Sequence, residues 1–331
     1  MGFKKLHIFY QINIVSAIFI SALFIAILTG LLFGSTSIDI KNFLTGSFIE
    51  SAQYSIVWKI RLPRVIMAAL VGAALSLGGL VFQVLLRNPL AEPYILGISG
   101  GSAIGAIIGM MIGLSVFPGV SFLSFSGSMI VLLAVLFTSG KNFSEKNSLI
   151  LSGVIINAFC SAIIMFLIYI VESSKIHNIL FWLMGNLSMV DIKEIKTLVF
   201  VLLPCFIVLF FYSHTMNILL MGNQTAKSIG VNVQLTVIIL FIITSFMVSM
   251  TVCYAGIIGF TGLVIPHLLR FVIGSDNRLL VPASIFGGGA YMVFCDLLSR
   301  VLPKHGEMPV GVITALIGAP LFIILLKKTK I

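Results

Sequence analysis

"KIRLPRVIMAALVGAALSLGGLVFQVLLR" occupies residues 59–87, and its reading decides the fold. Between Arg64 and Arg87 lie 22 residues without one ionisable side chain. A bilayer-crossing helix needs about 20 mainly apolar residues. Residues 65–86 therefore predict a membrane span, with three cations at one mouth and one at the other.

The rest of the chain follows the same pattern. Of 331 residues, 59% are hydrophobic and 9% charged, with a mean hydropathy of +1.19. A soluble domain carries about a quarter charged residues. No polar stretch is long enough for a second domain, so residues 1–331 predict a single transmembrane domain. The net charge of +10 comes without a basic stripe interleaved with aromatics. Anchoring against anionic lipid accounts for it, and nucleic-acid binding is excluded. Cys160, Cys205, Cys253 and Cys295 each stand alone in an apolar run, which indicates neither disulfides nor zinc. The apolar run behind Lys4 and Lys5 is too long for a signal-peptide core and lacks a cleavage site, so it is expected to be a retained span.

Further spans are predicted near 14–34, 95–114, 120–139, 148–171, 197–213, 279–300 and 310–326. The run from Leu235 to Ile273 is twice one span in length, interrupted by "AGIIGFTG" (255–262) and broken again at Pro266. It reads as one full span and one short, irregular span, which makes ten. An even count places basic Lys4 and Lys5 on the same side as Lys327, Lys328 and Lys330, taken as cytoplasmic. Arg61, Arg64 and Arg300 then fall outside, with eleven Lys/Arg inside against nine outside. Two readings of the outer cations stay open here, snorkelling to headgroups or docking an acidic partner. Residues 174–190, amphipathic and carrying Trp182, are expected to lie along the outer interface.

Gly97, Gly101, Gly105, Gly109 and Gly113 recur every fourth residue, a face that lets another helix approach closely. Gly72, Gly78 and the Gly287–Gly289 run extend this to a tightly packed bundle. Asp296 and Arg300 are spaced for an i,i+4 pair, and no other buried ionisable group suggests an ion relay. An ion-coupled carrier is therefore disfavoured. "SHTMNILLMGNQTAKSIGV" (213–231) reads as two short amphipathic helices, about Met216–Met221 and Gln224–Ile229, hinged at Gly222–Asn223. Apolar residues on such a connector suggest a protein partner. Its "AKS" lacks the glycines of a phosphate-binding loop, so ATP would be bound by another subunit. "GISG" (97–100) has the form of an intramembrane serine protease motif, with His267 as an imaginable base, but such short strings are common in glycine-rich helices. Neither paired carboxylates nor metal-ligand spacings occur, so neither catalytic nor metal residues are expected.

"IRLPR" (60–64), "NPLAEPYILGISGGSAIG" (88–105), "MGNQTAKSIGV" (221–231), "GFTGLVIPHLLR" (259–270) and "MPVGVITALIGAPLFIILL" (308–326) together resemble the FecCD-like permeases of type II ABC importers. The resemblance implies an all-α fold of about ten transmembrane helices in the cell (inner) membrane, both termini cytoplasmic. It implies a second permease subunit, most simply a homodimer, two ATP-binding subunits that use ATP and magnesium, and an external substrate-binding protein. Arg61, Arg64 and Arg300 match the family's docking cations, and reversal of Arg61 and Arg64 to Glu is expected to weaken docking and uptake while sparing the fold. Met216, Asn217, Leu219, Met221, Gly222, Ala226, Ile229 and Gly230 match the coupling segment that meets the ATPases. Asn88, Pro89 and Leu90 match the cytoplasmic gate. Ferric siderophore is the expected cargo, with haem or cobalamin as the alternative.

Overall fold

The computed structural model describes residues 2–34, 52–139, 146–188, 190–303 and 306–328. Every regular element among them is helical. Helix α1 spans Gly2–Leu32 and α2 Leu62–Leu85, the latter entered through a wider π-type turn over Ile56–Arg61. Pro63 sits in the first turn of α2, where its missing N–H has no helical partner to lose. Next come α3 (Ile98–Met111), α4 (Ser121–Ser139), α5 (Lys146–Ile170) and α6 (Ser173–Leu183). Then follow α7 (Ile192–Phe211), α8 (Ser213–Leu220) and α9 (Asn223–Ser228). The chain closes with α10 (Val233–Ala255), α11 (Thr261–Ile273), α12 (Asn277–Val301) and α13 (Val310–Lys328).

Among the described residues, seven helices are long and apolar enough to cross a membrane, and the apolar Ile98–Met111, Thr261–Ile273 and Val310–Ile324 are shorter. Together they occupy the ten predicted positions. Helix α2 is buried along most of its length, whereas α1, α5 and α7 leave broad apolar faces open to lipid.

Gly72 of α2 meets Gly288 of α12 so closely that a Cβ on Gly72 would lie 2.2 Å from the Gly288 carbonyl oxygen. On α3, a Cβ at Gly101 or Gly105 would come within 2.5 or 2.0 Å of the α4 backbone oxygens of Gly127 and Leu123. Gly109 continues that seam against Val120. Gly97 takes a left-handed φ of 75°, and a Cβ there would also lie 3.1 Å from the Asn157 backbone nitrogen of α5. Gly113 differs from the expected stripe: it takes φ 77° and meets no described atom within 4 Å. It stands at a helix end, where left-handed backbone and not helix contact selects glycine.

The double-length run divides as expected, at residues 256–260 between α10 and α11. Pro266 does not break α11, contrary to the sequence reading. A proline removes the bond to the carbonyl four residues back, here that of Gly262. Gln83 Nε2 of α2 donates to that oxygen at 3.2 Å, so the helix continues. The amphipathic segment also ends earlier than expected, at Leu183, because Gly185 turns the chain with φ 79°. Met189 lies outside the described residues.

Candidate functional site

The candidate functional side chains gather at the two ends of α2, about 36 Å apart for 24 residues at 1.5 Å each.

At the first end, Arg64 Nε donates to Asp296 Oδ1 at 2.7 Å and Nη1 to Glu307 Oε2 at 2.6 Å. Arg300 Nε lies 3.1 Å from Asp296 Oδ2, the expected i,i+4 pair, and its Nη2 donates to the Gly30 carbonyl at 3.1 Å. Arg61 Nη1 donates to the carbonyls of Leu31 and Leu32 at 2.9 and 3.0 Å. Two guanidiniums thus meet the C-terminal carbonyls of α1, where the helix dipole favours positive charge. All three arginines are only 4% exposed, and Asp296 is wholly buried. Among the described residues, three guanidiniums gather around two carboxylates here. Reversal of Arg64 would set a new carboxylate against Asp296, so the expectation that reversal spares the fold does not hold for that residue. Sequence spacing exposed the Asp296–Arg300 pair, but the Arg64 partners lie 232 and 243 residues away and left no local signal.

At the other end, α8 and α9 form the expected hairpin, turned at Gly222 with φ 110°. Met216, Leu219 and Ala226 are buried against the bundle, while Leu220, Met221 (67% exposed) and Ile229 (57% exposed) face outward. Gly230, with φ 91°, closes the hairpin. Asn217 fixes it to the start of α12: its Nδ2 donates to Asp276 Oδ1 at 2.7 Å, and its Oδ1 accepts from Asn277 N at 2.9 Å. Asp276 also caps α12 by accepting from Arg278 N at 3.0 Å. The hairpin and the cap are each visible as local sequence patterns; their joining is not.

Asn88, Pro89 and Leu90, the positions expected at a gate, follow α2 directly. Asn88 Oδ1 accepts from Leu90 N at 2.9 Å, and Asn88 N donates to the Gln83 carbonyl at 3.1 Å. Pro89 and Leu90 are exposed. An apolar groove of about 550 Å³ lies between the ends of α6 and α13, lined by Met184, Ile257, Gly311, Ala315 and Ala319 among others. His267 is packed between the rings of Phe271 and Phe322, and its Nε2 has no hydrogen-bond partner among the described residues.

The model of the FecCD transport family matches residues 22–328. The vitamin B12 import system permease protein BtuC of Klebsiella pneumoniae is 35% identical over 86% of this chain and 86% of its own. That of Citrobacter koseri is 37% identical over 86% of this chain and 87% of its own. A solved ABC transporter assigned to the metal-chelate type, in an inward-facing conformation, superposes with a TM-score of 0.85. It is 30% identical and covers 96% of this chain and 99% of that one. PsaBC from Streptococcus pneumoniae, in complex with Fab, shares the fold at a TM-score of 0.54 and 16% identity, over 87% of this chain and 95% of that one.

Proposed function

Because the chain belongs to the FecCD transport family, we propose that it is the permease through which an importer delivers a cobalamin-type metal chelate. The coarser part stands on the family: this is the multi-pass permease subunit of a type II ABC importer, a transport subunit and not an enzyme. The cargo rests on one observation, the vitamin B12 name carried by relatives 35% and 37% identical over 86% of the chain. The ferric siderophore expected from the sequence has less support, and haem remains the second reading.

In this reading the chain lies in the cell (inner) membrane with both termini cytoplasmic and pairs with a second copy. The apolar groove beside α13 contributes to the wall of the shared path. Two ATP-binding subunits hydrolyse ATP with magnesium and press on the α8–α9 hairpin, whose outward Leu220, Met221 and Ile229 give an apolar contact. The bundle then rocks between outward and inward states. A substrate-binding protein docks at the opposite end, its carboxylates drawn to the Arg61, Arg64 and Arg300 guanidiniums.

Isolation of the intact complex with its binding protein, followed by mass spectrometry, tests this assignment. A co-purifying ATPase and a bound corrinoid are expected. A ferric siderophore in the binding protein would overturn the cargo and leave the permease role standing.

A further inference from the structure

The connector after α2 is gripped from two sides. Arg87 Nε donates to the Leu219 carbonyl at 3.1 Å, and Nη2 donates to Asn223 Oδ1. Leu219 is near the end of α8 and Asn223 begins α9, so one guanidinium spans the Gly222 hinge of the hairpin. Farther along, Glu92 Oε1 accepts from Phe260 N at 2.6 Å. Tyr94 Oη donates to the Ile258 carbonyl at 2.6 Å and accepts from Ile258 N at 3.0 Å. Asn88, Pro89 and Leu90 hang between these two attachments.

The backbone marks the same two points. Among the described residues, Arg87 (φ 46°) and Phe260 (φ 67°) are the non-glycine positions with left-handed backbone. Such conformations are strained in a residue that carries a Cβ and persist where surrounding contacts impose them. One lies at each attachment of the connector. Helix-end neutralisation alone needs a cation near the Leu219 carbonyl. It requires neither a fork that also reaches Asn223 nor a strained residue directly before the gate.

We propose that Arg87 is a positioning residue that carries movement of the α8–α9 hairpin into the Asn88–Leu90 gate, with Glu92 and Tyr94 holding the far end of the connector to residues 258–260. This rests on the reading of the hairpin as the ATPase contact. When the hairpin shifts, the guanidinium moves with it and turns the connector about its fixed end.

The test uses the complete complex with its ATPase and a Leu90→Cys probe. The four native cysteines are buried, so a maleimide reports the introduced one. In this parent, the labelling rate is expected to change about tenfold between nucleotide-free and ATP–vanadate states, a coupling of ordinary size. Arg87→Gly removes the fork and also relieves the left-handed strain, so the complex should assemble and hydrolyse ATP while the labelling ratio falls toward one. Asn223→Ala, which leaves the Leu219 bond, should lower the ratio part of the way. An assembled Arg87→Gly complex that keeps the parental ratio overturns the proposal. Should Arg87→Gly fail to assemble, a parental ratio in Asn223→Ala overturns it and a reduced ratio supports it. Failure of the parent to carry an ATPase at all would instead remove the hairpin reading, and this inference with it.

Discussion

Arg64 Nε sits 2.7 Å from Asp296 Oδ1, joining the start of α2 to the last turns of α12 across 232 residues of chain. Asp296 also faces Arg300, so one buried carboxylate serves two guanidiniums. Replacing Asp296 by Ala takes the carboxylate from Arg300 and leaves Arg64 only Glu307, and should cost about 3–5 kcal/mol. Thermal unfolding in detergent measures this, and a loss below 1 kcal/mol would mean that water enters the cluster. Glu307, at the same guanidinium, is half-exposed, and Glu307→Gln should cost about 1 kcal/mol or less. That change removes the negative charge facing Arg64 Nη1, so binding-protein docking should tighten and become more salt-sensitive. Unchanged docking by titration would remove Arg64 from the contact.

The Gly262 carbonyl, released by Pro266, is answered by Gln83. Gln83→Leu leaves that oxygen bare and should cost about 1–3 kcal/mol. It also strips Arg270 of its Gln83 Oε1 acceptor. Adding Pro266→Ala restores an N–H to α11, so the double variant should regain part of the lost melting temperature. A double variant no more stable than Gln83→Leu would show that the carbonyl is not the group at stake.

Glycines that look alike in sequence should respond differently. Gly105→Ala sets a Cβ 2.0 Å from the Leu123 oxygen, against backbone that cannot step aside, and should separate α3 from α4. Gly113→Ala meets open space and carries only the left-handed penalty, about 1–2 kcal/mol. Folded yield in detergent compares them. Equal losses would contradict the α3–α4 seam.

Acid should loosen the hairpin anchor. Burial pushes the Asp276 carboxyl up, but hydrogen bonds from Arg278 and Asn217 outweigh it and hold its pKa at about 2. A depressed pKa stabilises the folded chain fully above the ordinary carboxylate value of about 3.9 and loses that contribution as pH falls toward about 2. Asp276→Asn keeps a capping acceptor but has no such titration. Its protease sensitivity at residues 213–231 should therefore stay flatter than the parent's across that window. Identical profiles would exclude Asp276 as the titrating anchor.

The ten apolar segments and the two-helix connector were legible because their signals are local. Span length follows bilayer thickness, and Gly222 with the amphipathic runs beside it marks the hinge in a few residues. The gate and docking positions entered through motif resemblance, and composition alone would not have singled out Asn88 or Arg61. Pro266 misled because its missing bond is visible in sequence while its remedy, Gln83, lies on another helix.

By itself, then, the sequence determined how many times the chain can cross a membrane and where short helices interrupt it, since hydrophobic length and backbone propensity act over neighbouring residues. Tertiary structure decided which charges are spoken for. Arg64 and Arg300 are committed to Asp296, Asn217 to the start of α12, and Arg87 to the end of α8. The physical reason is that a buried charge or amide must find its partner wherever packing brings one within about 3 Å, however distant along the chain.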